Sequence, residues 1–375
     1  MSNSDSDVEI FFATSLPSLA PIPAEHQLLI PDDTRSVKDL LNYSVLHCRD
    51  VRIVNHHSET FTKMINPLNY PVPTSSQLQK VISTALDEAK NDAHSLMVSF
   101  DFGSPVWLPM WMITLWISLD NVLLAKDRWR KAVDWLGKFE NHKLSQCVRN
   151  SILAVPWNGK LPSSLGGASA QSLAHYCGTN WLSITHIEQL SALIYDELVQ
   201  DKIPAKILPP DFFPLLVKTH REVESSSLMM QKSRTRFGEV ADALNCKPVA
   251  FCVNVQVTSA ETIIPTSPQS GHHWTVVIID VQKKCVLYYD PYQRPPPALL
   301  VGILKWWLGH HCDPRPRIRI LSAEKQTDTF SGGLYAIHAI HRHFKPAIHS
   351  LNPAKLDALR VKYLSGILKQ VRLVA

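Results

Sequence analysis

The sequence predicts an α+β protein: a central sheet in the second half, packed by helices and preceded by a mostly helical region. Three observations carry this expectation. Short runs rich in β-branched and aromatic residues crowd into 249–321. Apolar residues recur at helical spacing on either side of them. At 45% hydrophobic and 19% charged, the 375 residues carry ample apolar surface for a sizeable core.

The elements follow in chain order. Residues 1–36 hold six acidic side chains against one arginine, with several prolines, and read as an acidic disordered tail. From 37 to 165 the signals are mainly helical. Leu78, Val81, Ile82, Ala85, Leu86 and Ala89 form one apolar stripe after Thr74-Ser75-Ser76. Trp107, Trp111, Trp116, Trp129 and Trp135 are expected to pack between helices. Val106 to Leu119 is apolar but spans 14 residues and contains Pro109. A membrane span needs about 20, so this stretch reads as a buried helix and no membrane partner is expected. The Pro- and Gly-rich stretch 156–172 marks a domain boundary, with a second domain over 166–375.

In that second domain, Trp181 to Val199 reads as a helix, and 204–214 and 222–236 as loops or short helices. Strands are expected at 249–257, 275–281, 285–289 and 317–321. Helices should start near Gly332 and run through 353–371.

Composition excludes several function classes. The 26 prolines against 13 glycines argue against glycine-loop nucleotide chemistry. A net charge of +5 is too weak to imply nucleic acid. The seven cysteines contain no Cys-x-x-Cys pair, and the acidic N-terminus is unlike a secretory leader; together they predict reduced thiols in an intracellular protein. His310-His311-Cys312 and the His338, His341 and His343 set lack zinc spacing and read as exposed histidines, so neither metal nor cofactor is expected.

Three local patterns point to chemistry. Gly271-His272-His273-Trp274 leads straight into a strand, and Tyr288-Tyr289-Asp290-Pro291 closes the next one. Each taken alone is ordinary: a surface histidine, and a turn aspartate before proline. An antiparallel hairpin between the strands brings Asp290 beside His273, where a carboxylate accepts a ring N–H and fixes the tautomer. The third pattern is a polar loop, Gln326 to Ser331, running into an apolar helix at Gly332-Gly333. A helix start receives an oxyanion or stabilises a thiolate.

The order His-Trp, Asp, then Gln before a loop-to-helix junction resembles the SUMO- and ubiquitin-like-modifier-specific cysteine proteases, the sentrin-specific and adenain-like group. Trp181-Leu182 before a helix is similar to that family's Trp-Leu-Asn-Asp segment, and His273 and Asp290 stand 17 apart, as is usual there. The resemblance implies a papain-like (adenain-like) cysteine peptidase fold with a central mixed sheet. It implies His273 as general base, Asp290 as its orienting carboxylate and Gln326 as oxyanion donor. Trp181 and Trp274 would flank a tunnel for a modifier's Gly-Gly tail, and the location would be nuclear.

The departures weigh as much. Six residues after Gln326 stands Gly332, where the family has its nucleophilic cysteine. Ser331 holds the preceding aspartate's place, and Ser183-Ile184 stand for Asn-Asp. Glycine cannot attack a carbonyl, and losing a nucleophile typically costs roughly 10⁶ in turnover. The expectation is a modifier-recognising pseudoenzyme; its alternatives are a peptidase acting through Ser331, or a non-enzymatic interaction protein or mobile-element remnant. The run Ser4-Asp5-Ser6-Asp7 before Val8, Ile10 and Phe11 resembles a SUMO-interaction motif, which would add a strand to the modifier's sheet edge.

Overall fold

The structure is a computed structural model, described for residues 20–48, 51–57, 65–89, 95–101, 104–139, 143–224, 247–257, 262–263, 273–309 and 317–374. The SUMO-interaction-like residues Val8, Ile10 and Phe11 lie outside these, as do His272 and the His310-His311-Cys312 run. The chain forms two compact units, Met1–Trp129 and Arg130–Ala375.

The first unit holds α1 (Ala24–Gln27), α2 (Val37–Asn42), β1 (His47–Cys48), β2 (Val51–His57), β3 (Val72–Pro73), α3 (Ser75–Ala89), β4 (Ser95–Phe100), β5 (Val106–Pro109) and the start of α4 (Trp111–Gly137). Part of the expected tail is therefore ordered: Ser36 starts α2 with a reciprocal capping box to Asp39. The apolar stripe from Leu78 to Ala89 forms α3, with Leu78, Val81, Ile82 and Ala85 buried. Helices make up most of the regular structure over 37–165, as expected, and short strands accompany them. β2, β4 and β5 make an antiparallel sheet, and β1 pairs with β3 in parallel. The helix expected from Val106 begins only at Trp111, because Pro109 closes a strand opposite Ser95. Trp116, fully buried, packs in a core with Leu96, Val98 and Leu108.

The second unit comprises the end of α4, then α5 (Lys143–Ala154), α6 (Ile184–Gln200), β6 (Lys206–Ile207), α7 (Phe212–Glu224), β7 (Val249–Val257), β8 (Thr262–Ile263), β9 (His273–Asp280), β10 (Cys285–Tyr289), α8 (Ala298–Gly309), β11 (Arg317–Ile320), α9 (Gly332–Phe344) and α10 (Leu356–Val374). The chain does not divide at 156–172, where the boundary was expected. Leu161, Leu165 and Leu173 are buried there, and Lys160 bridges Ser169, so apolar anchors hold the proline-rich stretch inside the second unit.

Its sheet runs β11-β10-β9-β7-β6, with β8 pairing β7. β9 is antiparallel to β7 and β10, while β10–β11 and β6–β7 are parallel, giving the mixed sheet of the expected α+β class. Every residue of β9 is buried. Phe213, Leu216, Leu300, Ile303 and Trp307 from α7 and α8 pack on Phe251, Val253, Val277, Ile279 and Tyr288 of the sheet. α9 lies against β9. That contact brings the N-terminus of α9 to the start of the central strand.

Candidate active site

The hairpin register positions the first pair. Cys285 pairs with Asp280 and Tyr289 with Val276. Continuing that register sets Asp290 opposite Thr275, diagonal to His273 on the same side of the sheet. The two side chains meet: His273 Nε2 lies 2.7 Å from Asp290 Oδ1. Their side chains are 3% and 0% exposed. A carboxylate only accepts, so Nε2 carries the proton and Nδ1 of the neutral ring presents its lone pair. Tyr292 N–H also donates to Asp290 Oδ1, at 2.7 Å. The Tyr292 ring stacks on His273 at 4.4 Å and 19°, which clamps the imidazole from its face.

Gly332 opens α9 directly in front of that ring. A Cβ at 332 would lie 3.1 Å from His273 Nδ1 and 3.2 Å from Gln326 Oε1. The imidazole, the carboxylate and the carboxamide therefore converge where the sequence placed them, around a residue with no side chain. The next glycine is required for packing. A Cβ at Gly333 would meet Ile187 Cδ1 and Leu182 Cβ at 3.0 Å and Trp274 Cδ1 at 3.3 Å. Only glycine lets the helix start come this close to β9 and α6.

Gln326 is held at both ends. Its backbone N–H donates to Pro291 O at 2.8 Å, and its Nε2 donates to Asp328 Oδ1 at 3.1 Å. The same Asp328 oxygen accepts from Phe330 N–H at 2.9 Å and Ser331 N–H at 2.7 Å. Gln326 Oε1 is buried without a partner, as are Asp290 Oδ2, Ser331 Oγ and Tyr335 OH. The oxyanion role implied for Gln326 needs its N–H₂ group; one of its two N–H bonds goes to Asp328 here, and Oε1 is the end that faces position 332. Asp328 and Tyr292 were not singled out from the sequence. An aspartate two and three residues before the N–H groups it caps is a local signal that was available for the first.

The indoles of Trp181 and Trp274 do come together, but as a closed stack at 5.6 Å and 16°. A peptide threaded between two rings needs about 7 Å, two contact distances of roughly 3.5 Å. Trp274 is fully buried and donates its N–H to Leu182 O at 2.7 Å, so it anchors the 181–182 segment. Arg360 of α10 supports the same segment, donating to Asn180 O at 2.7 Å. Burial lowers its guanidinium to about 10.

His186 stands four residues beyond Leu182. Its Nδ1 accepts from Ser183 N–H at 3.1 Å, and its Nε2–H donates to Ser172 O at 2.9 Å. Burial pushes it down to about 3, so it is a neutral strut. Burial also pushes Cys177 up to about 12 and Cys252 above its ordinary value, which keeps both thiols protonated and unreactive.

The histidines of α9 correct the sequence reading, because His338 and His341 are buried. His338 Nε2 meets His349 O at 3.1 Å and His341 Nε2 meets Glu197 Oε2 at 3.0 Å. Among the described residues, no group of three or more His, Cys, Asp or Glu is placed to hold a metal ion. No described helix is long and apolar enough to cross a membrane.

No curated protein matches the chain. Among solved structures, one similar chain is SUMO protease Ulp1 with its catalytic cysteine oxidised to a sulfinic acid, at 15% identity and TM-score 0.44, covering 61% of this chain and 95% of that one. A second is the C-terminal Ulp1 protease domain in complex with Smt3, the yeast ortholog of SUMO, at 17% identity and TM-score 0.44, with the same coverage of 61% and 95%. A third is the Xanthomonas campestris effector XopD bound to ubiquitin, at 14% identity and TM-score 0.31, covering 49% and 92%. The segment that carries His273, Asp290, Gln326 and Gly332, residues 223–371, matches the Ulp1 protease family, C-terminal catalytic domain.

Proposed function

We propose that this Ulp1-type domain recognises the C-terminal Gly-Gly tail of a SUMO-type modifier and does not cleave it. One observation carries the reading: a buried, correctly oriented His273–Asp290 pair faces a glycine instead of a thiol. A base with no nucleophile in front of it has no group to activate. The base and its orienting carboxylate stand in place while the attacking atom is missing.

The test uses the full chain. It is titrated with a SUMO-type modifier ending in Gly-Gly and with the same modifier lacking those two residues. Removing the tail is expected to weaken binding by about tenfold or more, while a fluorogenic modifier substrate stays intact. Equal affinity for the two forms overturns the reading. Ser331 favours a second reading, peptidase action, because its hydroxyl is buried without a hydrogen-bond partner one residue before Gly332. Substrate release that disappears in Ser331→Ala would establish it.

A further inference from the structure

The first unit, which lies outside the segment matched by the protease family, carries a cavity of its own. Its volume is about 300 Å³. At roughly 30 Å³ per water, that is room for about ten waters, or for a ligand of about ten non-hydrogen atoms. One face of α4 forms the floor: Met112, Leu115, Trp116 and Leu119 recur at helical spacing, and all four are buried. Segments 43–46 and 67–72 form the walls. Those walls are pinned by hydrogen bonds. Val72 N–H donates to Leu46 O at 2.7 Å, Tyr43 OH donates to Leu29 O at 2.8 Å, and Lys126 donates to Tyr43 O. A cavity held in this way is formed before any ligand arrives. Its mouth is apolar, with Leu46 62% exposed and Leu68 58% exposed.

Two features fix the chemistry of an occupant. Among the described residues, none that lines the cavity is charged. A carboxylate, phosphate or ammonium entering it would give up water and gain no ion partner, so a charged ligand is disfavoured. The second feature is Trp116. Its ring is fully buried, and its indole N–H has no acceptor among the described residues. A buried indole N–H ordinarily finds a partner, and one left unpaired is destabilising. We infer that this cavity binds a small neutral molecule, an apolar body of about ten non-hydrogen atoms with one hydrogen-bond acceptor that meets the Trp116 N–H. Small ketones and esters belong to this class. The cavity and its donor lie within the first unit, so the inference stands apart from the tail-binding reading.

Three probes test this on the full chain by NMR titration. Acetophenone carries a carbonyl, ethylbenzene has the same ring and two-carbon arm without it, and benzoate carries a charge. Acetophenone is expected to saturate with a Kd below about 1 mM. Benzoate should bind at least about tenfold more weakly. Trp116→Phe keeps an aromatic ring and removes the donor. It should weaken acetophenone about fivefold or more and change ethylbenzene less than about twofold. Should Trp116→Phe fail to fold, the indole N–H resonances of the unmodified chain still decide: one must move downfield with acetophenone and stay in place with ethylbenzene. Absence of saturable acetophenone binding overturns the inference, as does benzoate bound equally well. Equal effects on acetophenone and ethylbenzene, in the variant or in the indole resonances, also overturn it, in favour of an apolar surface for a partner's side chains.

Discussion

Restoring sulfur at one atom tests the whole geometric argument. Gly332→Cys places a Cβ 3.1 Å from His273 Nδ1 and 3.2 Å from Gln326 Oε1, so something must give by a few tenths of an ångström. The imidazole is poorly able to move, clamped by Asp290 at 2.7 Å and by the Tyr292 ring at 4.4 Å. Gln326 is the softer neighbour, tied through its 3.1 Å bond to Asp328, and it must also turn its amide to donate to an oxyanion. A nucleophile acting with its base is worth roughly 10⁶ in turnover. Misplacement by about an ångström costs around 10². Gly332→Cys should therefore hydrolyse a fluorogenic modifier substrate about 10⁴-fold faster than the parent chain. Adding His273→Ala should return it to the parent level. A Gly332→Cys chain that folds and binds the modifier, yet turns over no faster than the parent, would refute the placement of the 326–332 loop against the pair.

Three further outcomes are expected. His273→Ala leaves the Asp290 carboxylate buried with only Tyr292 N–H to answer it, so urea unfolding should show a loss of about 3 kcal/mol. Adding Asp290→Asn should recover part of that loss. Gly333→Ala should cost ~1–3 kcal/mol through overpacking against Ile187, Leu182 and Trp274, read as a lower thermal midpoint. His186 carries a pH signature. Its folded value, about 3, lies below the ordinary 6.5, so the unfolded chain takes up the proton first as pH falls. The stability it contributes is complete above pH 6.5 and drains away on acidification toward pH 3. The slope is about 1.4 kcal/mol per pH unit. Unfolding free energies measured between pH 7 and 5 should fall less steeply in His186→Gln.

Much of the central sheet was legible in the sequence because its strands obey local rules. Val249–Val257 and Cys285–Tyr289 are β-branched and aromatic runs of strand length, and their observed bounds are those expected. The short link between β9 and β10 leaves one sensible register, and that register delivers Asp290 to His273. Ala298–Gly309 was not read as a helix, since its nearly unbroken apolar composition gives periodicity nothing to distinguish. The sheet of the first unit was missed for a related reason: β4 and β5 are short, and β5 runs into a long helix with only Met110 between.

What the sequence determined by itself was the chemistry present and its order along the chain: imidazole, carboxylate, carboxamide, and a glycine where a thiol would act. Those are properties of residue type and spacing. Tertiary structure decided how they face one another. Long-range packing of α9 on β9 set the glycine so that a Cβ on it would stand 3.1 Å from Nδ1. Asp328, by its contact with Nε2, turned the acceptor end of Gln326 toward position 332. The two indoles, Trp274 fully buried and Trp181 half-buried, stack on each other because apolar rings gain more from contact than from a gap. Orientation is a relation between groups distant in sequence, and no local pattern encodes it.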